Sequence, residues 1–202
     1  VITPGRTDSY LVGSGIPIGA NWWQQRHFRK LLETGKPCVV DAGALALYKS
    51  FHSLTVLTPH AAELAQLFTR IGVKVSANEI SQNQSEWAHT CAQHFGCTVL
   101  LKGHSTVIAN PNQIIQMPEA STRLATAGTG DVLAGIIGGL LALNHAIVTP
   151  QNLIEIAATG AYIHAQAALR QSKQHAGGPI TTSSMGDDIS YVVGAIGSGQ
   201  HF

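Results

Sequence analysis

Charged residues are scarce in this chain of 202 residues. They make up only 11% of the sequence, and the formal net charge is +1. No broad basic face is therefore available to bind nucleic-acid phosphates along a groove, and we expect no nucleic-acid partner. The apolar content of 45% is enough for one sizeable core, and the length is short for two ordinary domains. We predict a single domain over residues 1–202.

Cysteines and long apolar runs are also few. The three cysteines, Cys38, Cys91 and Cys97, are an odd number at spacings unlike a zinc knuckle, which favours idle thiols in a reducing compartment. No His-Glu-x-x-His or paired Cys-x-x-Cys pattern occurs, so we predict no metal held by protein ligands alone. The apolar stretch 132–146 contains two glycines and is too short for a bilayer, and the first residues lack a signal-peptide pattern. We expect a cytoplasmic protein with no membrane partner.

Short apolar runs alternate with helical patterns through the first half of the chain. The runs at residues 10–12, 38–41, 54–57 and 98–102 predict strands. Helices are predicted near residues 22–32, 44–49, 59–68, 76–95, 130–143, 150–171 and 181–196. Two further strands, 105–109 and 113–117, flank a turn at 110–112 and form a hairpin. This order predicts an α/β fold with a mainly parallel sheet sandwiched by helices.

Local signals refine some of the helix ends. Thr58 is predicted as an N-cap with Pro59 in the first turn, and residues 76–79 spell a capping box for a helix that ends at Gly96. In the last helix we predict four apolar residues to face inward: Ile189, Val192, Val193 and Ile196.

The most informative stretch is residues 125–135, where a small-residue turn, one acid and an apolar helix start coincide. Glycines at 128 and 130 let backbone N–H groups converge on an anion, and the following helix adds the positive end of its dipole. Asp131 then lies in the first helical turn beside the bound anion, where it can act as a base in phosphoryl chemistry. The alternative is that Thr129 or Asp131 only caps a buried helix. A Walker loop is excluded because Asp131 stands where its lysine would be.

Polar residues also follow several predicted strands. Asp41, Thr58-Pro59-His60 and Lys102-Gly103 each come directly after one, so they and the glycine turn are expected to line one crevice. His60 and Glu63 share a helix face and can touch or bind one ligand.

Each of these positions also has a plainer interpretation. The segment Lys102 to Thr106 suits a nucleotide's phosphate or ribose, but it also fits an ordinary tight turn. His60 fits an ordinary satisfied polar residue, and Asp41 can accept from a ligand hydroxyl or cap the next helix. The small residues around Gly160 and Ala161 give a smooth helix face for close packing, with subunit contact as a second use.

Three motifs in this order resemble the NAD(P)H-hydrate dehydratase family of the ribokinase-like superfamily. They are Thr58-Pro59-His60-x-x-Glu63, Lys102-Gly103-x-x-Thr106 and the run from Thr126 to Gly135. The resemblance covers nearly the whole chain and implies a ribokinase-like fold that lacks part of the N-terminal region. It implies repair of hydrated NADH or NADPH. A nucleotide, ADP in bacterial members or else ATP, phosphorylates the ring hydroxyl, and phosphate is then eliminated.

The resemblance also implies roles for particular residues. Asp131 would be the catalytic base and would contact the substrate together with Gly15, His60 and Glu63. The nucleotide would be bound by Lys102, Gly103, His104, Ser105, Thr106, Ala127, Gly128, Thr129 and Gly130. Mg²⁺ would bridge the phosphates. A homo-oligomer and an NAD(P)H-hydrate epimerase, fused or separate, are the partners expected.

The chain departs from the family pattern on the substrate side. Residues 14–17 are Ser-Gly-Ile-Pro where members usually carry Pro-Gly-Leu-Gly, and residues 41–46 are Asp-Ala-Gly-Ala-Leu-Ala where they carry Asp-Ala-Asp-Ala-Leu-Asn. Two alternatives therefore stay open. One is a vitamin or sugar kinase of the same superfamily, and the other is a nucleotide-binding subunit with weak activity.

Overall fold

Six short strands form one sheet in the computed structural model, which describes residues 5–16, 22–47, 50–119 and 122–200. The strands are Tyr10–Val12 (β1), Cys38–Val40 (β2), Thr55–Leu57 (β3), Thr98–Leu101 (β4), Val107–Ala109 (β5) and Ile114–Gln116 (β6). Their spatial order follows the chain, with β1 to β4 parallel and β5 and β6 added antiparallel. The predicted parallel sheet and hairpin are confirmed.

Seven α-helices are present in the described ranges. They are Trp22–Glu33 (α1), Ala61–Arg70 (α2), Ala77–Gln82 (α3), Gln84–Phe95 (α4), Thr129–Leu143 (α5), Leu153–Gln174 (α6) and Met185–Gly197 (α7). Within these ranges, no helix combines the length and apolar character needed to cross a membrane. The helices form layers on both sides of the sheet, which confirms the predicted α/β sandwich.

Strand alternation divides the core into two layers. Val39, Val56 and Leu100 point to one face and pack with apolar side chains of α5 and α6. Val40 and Leu57 point to the other face, where apolar side chains of α2 and α4 cover them. Because successive side chains of a strand point to opposite faces, nearly continuous apolar strands are buried on both sides. A third cluster joins α6 to α7.

The start of α2 corrects one prediction. Thr58 is not the N-cap, because its backbone N–H continues the sheet by donating to the Val40 carbonyl at 3.1 Å and its hydroxyl donates to Asp41 Oδ1 at 2.8 Å. His60 is the N-cap, and its Nδ1 accepts from the N–H groups of Ala62 and Glu63 at 3.2 and 3.3 Å.

Other helix boundaries also differ from prediction. The helix expected at 44–49 is a 3-10 helix, Ala42–Ala46, and Tyr48 and Lys49 lie outside the described residues. The helix expected from Ser76 to Gly96 is interrupted at Asn83, whose backbone φ of −132° is not helical. The start of α6 shifts from Pro150 to Leu153, since the Thr149 N–H donates to Asn152 Oδ1 at 2.8 Å in the preceding turn.

The inward face of α7 is narrower than predicted. Val192 is buried and Ile189 is partly buried against the third cluster, as expected. Val193 and Ile196 are exposed, because α7 packs mainly against α6 and does so through one stripe of its surface.

Candidate active site

The carboxyl ends of the parallel strands bring the predicted polar segments together. Asp41 follows β2, Thr58 follows β3 and Lys102 follows β4. The Lys102 N–H donates to the Pro59 carbonyl at 2.8 Å, and His60 and Lys102 form an isolated parallel bridge beyond the strand ends. The start of α5 lies at the same edge, since a Cβ placed on Gly130 would be 3.4 Å from Lys102 Nζ. The expected convergence on one crevice is confirmed for these residues.

A buried carboxylate organises this edge. Asp41 is 2% exposed, and its Oδ1 accepts hydrogen bonds from Thr58 Oγ1 at 2.8 Å and from Lys102 Nζ at 2.9 Å. Lys102 Nζ also lies 3.9 Å from Glu63 Oε2. Asp41 makes no side-chain capping hydrogen bond to the 3-10 helix that follows it, so the capping alternative is wrong.

The Asp41 backbone is tightly enclosed as well. Its N–H donates to the Val12 carbonyl at 2.9 Å. Gly13 packs so closely that a Cβ there would lie 1.8 Å from the Asp41 carbonyl oxygen. Any side chain at position 13 would displace the Asp41 backbone, so this glycine is required by the approach of β1 to the site.

The turn before α5 has the geometry of an anion cradle. Gly128 has a φ of +86°, in the left-handed region that favours glycine, and it is the N-cap of α5 without a side-chain cap. The Thr129 hydroxyl donates to the carbonyls of Leu124 and Thr126 at 2.7 and 2.8 Å instead of capping the helix. Among the described residues, the N–H groups of Gly130 and Asp131 have no acceptor. Free N–H groups at the positive end of a helix dipole bind an anion.

Asp131 lies beside this cradle with its side chain exposed. It makes no hydrogen bond or ion pair with any described side chain. A carboxylate in the first helical turn is stabilised by the helix dipole, and an unpaired one keeps both oxygens available to accept a proton. The capping alternative for Asp131 is therefore also wrong, because Gly128 occupies the cap position.

A cavity of about 430 Å³ opens next to the cradle. Its lining residues are His60, Lys102, Gly103, His104, Thr106, Leu124, Ala125, Thr129, Gly130, Leu133 and His164. A second cavity of about 410 Å³ shares four of these residues, Thr106, Leu124, Leu133 and His164, and is lined further by Met117, Tyr162 and Leu169. Both cavities are lined mainly by apolar surface, and the first also contains the Lys102 side chain and the backbone of Gly130 at the start of α5. Together they offer two adjoining compartments to an elongated ligand.

Several predicted site residues lie apart from these cavities. Ser105 donates its hydroxyl to the Met117 carbonyl at 3.0 Å, a contact inside the hairpin. Gly15 adopts a φ of +74° in the loop after β1 and is not among the lining residues. Asp131, Ala127 and Gly128 also do not line the cavity, although all three belong to the cradle turn. Pro17, in the substrate-side motif 14–17, lies outside the described residues.

His60 and Glu63 touch as predicted, with 3.5 Å between His60 Nε2 and Glu63 Oε1. They form a reciprocal capping box, since Glu63 Oε2 accepts from the His60 N–H at 2.8 Å while His60 Nδ1 caps the helix. With Nδ1 engaged by the backbone, His60 keeps only Nε2 for a ligand.

One cavity residue was missed by sequence reasoning. His164 is 6% exposed and lines both cavities, and its Nε2 is buried without a hydrogen-bond partner among the described residues. Burial lowers its pKa to about 4, although hydrogen bonding to the Thr129 backbone acts in the opposite direction. The sequence pattern indicated only a packing role, which is also present because Gly160 on the same helix lies against Ile137.

The fold is a ribokinase-like α/β fold, and the helix start with free N–H groups lies at the carboxyl edge of its sheet. A ribokinase-like superfamily protein from Enterococcus faecalis superposes with a TM-score of 0.72 over 93% of this chain and 63% of its own, at 23% identity. The family model described as NAD(P)H-hydrate dehydratase matches residues 3–190. The chain belongs to this family.

Individual relatives agree with that assignment. The bifunctional NAD(P)H-hydrate repair enzyme of Mycobacterium leprae is 37% identical over 188 residues, which cover 89% of this chain and 36% of the relative. The ADP-dependent (S)-NAD(P)H-hydrate dehydratase of Neisseria meningitidis is 37% identical over 67% of this chain and 45% of its own length. The chain thus spans between about one third and one half of these two relatives.

A solved structure with similar sequence is available for comparison. The ADP/ATP-dependent NAD(P)H-hydrate dehydratase of Bacillus subtilis, crystallised with ATP and Mg²⁺, superposes with a TM-score of 0.77 at 27% identity. The superposition covers 93% of this chain and 66% of that structure.

Proposed function

We propose that this chain dehydrates hydrated NADH or NADPH at the expense of a nucleotide, with ADP as the phosphoryl donor. The observation that carries the proposal is the exposed, unpaired Asp131 at the start of α5, in the same turn as the free N–H donors of the cradle and as Gly130, beside which the Lys102 ammonium lies. Membership of the dehydratase family supplies the substrate class.

The proposed reaction has two steps. Asp131 takes the proton of the ring hydroxyl, and the oxygen attacks the terminal phosphorus of ADP, so that AMP leaves. The C–O bond to the new phosphate then breaks while the ring loses a proton, which restores the nicotinamide double bond. The products are NADH or NADPH, AMP and inorganic phosphate, and the oxygen of the hydrate leaves with the phosphate.

The cradle and Lys102 are proposed to hold the transferring phosphoryl group. The N–H groups of Gly130 and Asp131 are fixed by the helix, so they need no rearrangement as negative charge develops. Lys102 adds a positive charge, with its Nζ beside Gly130. The nucleotide would also contact Gly103, His104 and Thr106, which line the adjoining cavity.

Mg²⁺ is proposed to enter with the nucleotide, where it would neutralise phosphate charge. The described residues contain no group of three His, Cys, Asp or Glu side chains that could hold a metal by themselves. Mg²⁺ usually keeps several waters and binds through one or two carboxylates plus substrate phosphates, so the phosphates of the nucleotide would supply part of its coordination.

The hydrate is proposed to bind on the Asp131 side of the cradle. His60 Nε2 and the loop containing Gly15 would contact it, with Glu63 fixing the orientation of His60. Because several relatives are bifunctional repair enzymes, we further propose that an epimerase activity, in the same or a separate polypeptide, interconverts the hydrate epimers. Homo-oligomerisation remains a prediction.

The proposal is tested by the return of reduced-nicotinamide absorbance. The chain is incubated with NADPH hydrate, Mg²⁺ and either ADP or ATP, with Asp131→Asn in parallel. Recovery of absorbance with one nucleotide by the parental chain alone supports the dehydratase. No recovery, with phosphorylated product accumulating on a vitamin or sugar, would indicate a kinase instead. No turnover with nucleotide still bound would indicate a binding subunit.

A further inference from the structure

Asp41 is a buried acid that the proposed reaction does not use directly. Two side-chain hydrogen bonds converge on its Oδ1, one from Thr58 and one from Lys102. Burial of a carboxylate is costly unless it is paired and hydrogen-bonded. Since the Asp41 side chain makes no capping hydrogen bond to the 3-10 helix that follows it, pairing with Lys102 is the interaction that accounts for the burial of this carboxylate.

Lys102 is the group that this pairing restrains. A lysine side chain is long and flexible, and an unrestrained ammonium samples many rotamers. Here the side chain is 22% exposed, and Nζ lies between Asp41 and the backbone of Gly130. An ammonium has three donors, of which Asp41 occupies one, so donors remain for a phosphate in the adjoining cavity.

Thr58 restrains the carboxylate in turn. It is completely buried, and its hydroxyl donates to the same oxygen that accepts from Lys102. Its backbone N–H donates a hydrogen bond to the Val40 carbonyl, so the sheet fixes the position of the residue that carries the hydroxyl. The chain of contacts therefore runs from the rigid sheet through Thr58 and Asp41 to the Lys102 ammonium.

We propose that Asp41 is a positioning residue that holds the Lys102 ammonium at the anion cradle in readiness for the terminal phosphate of a nucleotide. This inference rests on the proposed function, because it assigns how that same site receives its nucleotide. Ordering the cation before binding reduces the entropy lost when the phosphate arrives. Asp41 thus acts on nucleotide affinity through Lys102, without touching substrate.

The test is a double-mutant cycle read out by calorimetric titration of ADP with Mg²⁺. Asp41→Asn keeps the shape of the side chain and removes its charge. We expect it to weaken ADP binding about tenfold, the size of one charge-assisted hydrogen bond. In the Lys102→Met background, Asp41→Asn should cause no further loss, because its effect passes through Lys102. Thr58→Val should also weaken ADP binding, by a smaller factor than Asp41→Asn.

Asp188→Asn is the matched control. Asp188 is 4% exposed and lies 3.1 Å from Arg170 Nε, so this variant removes a buried acid that has its own cation partner away from the cavity. We expect the control to lose stability and keep the ADP affinity of the parental chain. Equal loss of affinity in both variants would overturn the inference, as would parental affinity in Asp41→Asn or a full additional loss in the Lys102→Met background.

Two further measurements keep the outcomes separate. Urea unfolding establishes whether each variant folds, and if Asp41→Asn does not, the cycle of Thr58→Val with Lys102→Met carries the same test. In steady-state kinetics, Asp41→Asn should raise KM for ADP and also lower kcat, because Lys102 is proposed to hold the transferring phosphoryl group. If the parental chain binds ADP without dehydrating the hydrate, the proposed function fails while the positioning role is still measured by binding.

Discussion

The carboxyl edge of the sheet and the contact between α6 and α7 each bury an aspartate beside a cation. At the sheet edge, Lys102 Nζ donates a hydrogen bond to Asp41 at 2.9 Å and lines a cavity. Between the helices, Arg170 Nε lies 3.1 Å from Asp188 Oδ1 but makes no hydrogen bond of good geometry, and its guanidinium stacks 3.6 Å above the Tyr191 ring. The first pair places its cation at the wall of a cavity, whereas the second lies between two packed helices.

Helix α6 connects the two regions. His164 on this helix faces both cavities at the sheet edge, and Arg170 faces α7 further along. Thr182, which precedes α7, also reaches the cradle, since its Cγ2 would be 3.3 Å from a Cβ on Gly128. The comparison therefore predicts that substitutions at the edge alter turnover and affinity, and that those between α6 and α7 alter stability.

The largest effect is expected for Asp131→Asn. Loss of a positioned general base should reduce kcat by about 10³-fold, while ADP affinity stays near the parental value because the cradle N–H groups remain. Steady-state kinetics and calorimetric titration check the two parts. An equally large loss in Asp188→Asn would contradict the division between the two regions.

His164 provides a pH-dependent prediction. Its folded-state pKa of about 4 lies below the ordinary 6.5, so the unfolded chain binds more protons between these values. Stability should therefore fall as pH decreases from 6.5 toward 4, by about 3 kcal/mol from this residue. Urea unfolding at a series of pH values checks this, with His164→Gln as the comparison. Burial lowers the pKa of His52 in the same direction, so the informative quantity is the difference between the two chains.

An equal pH dependence in the parental chain and His164→Gln would show that His164 is not held neutral by burial. The same variant should also change the two adjoining cavities, which His164 lines. Because of this second effect, a change in ADP affinity at neutral pH does not test the burial of His164. The unfolding measurement is the test of that burial.

Asp188→Asn is expected to lower the free energy of unfolding by about 2 kcal/mol. Removing one member of a buried pair leaves the other uncompensated, but solvent screens part of the effect because the Arg170 side chain is 36% exposed. Urea unfolding gives the stability and ADP titration gives the control value. Unchanged stability would mean that the α6–α7 pair contributes nothing beyond packing.

Gly128→Ala should have the smallest effect on stability, about 1 kcal/mol, because alanine is strained at a φ of +86°. The added Cβ would also press on Thr182, so the turn is expected to shift and ADP binding to weaken. Gly135→Ala is the matched control, since a Cβ there meets nothing within 4 Å and alanine is favoured in a helix. Equal ADP affinity in both variants would argue against a cradle at Gly128.

The sequence predicted the sheet and the position of its polar edge because both depend on local patterns. Apolar strands followed by Asp41, Thr58 and Lys102 indicate an edge by their order alone, and the structure brings these three side chains into hydrogen-bond contact. The glycine turn and helix start at Gly128 were also predicted from local chemistry, and α5 begins there.

The errors come from contacts between distant parts of the chain. Thr58 is a residue type that commonly caps helices, but its hydroxyl donates to the carboxylate of Asp41, which follows the neighbouring strand. His60 is the N-cap instead. His164 looks like part of a packing face, and only the tertiary structure shows its unpartnered nitrogen beside two cavities. Local periodicity cannot reveal such pairings, because they join residues on separate elements.

The most direct test of the account is the stoichiometry of the reaction. NADPH hydrate, ADP and Mg²⁺ are incubated with the chain, and reduced nicotinamide, AMP and inorganic phosphate are quantified over time. The account predicts equal amounts of all three products from the parental chain and none above background from Asp131→Asn. Reduced nicotinamide formed without AMP, or formed equally well by Asp131→Asn, would contradict it.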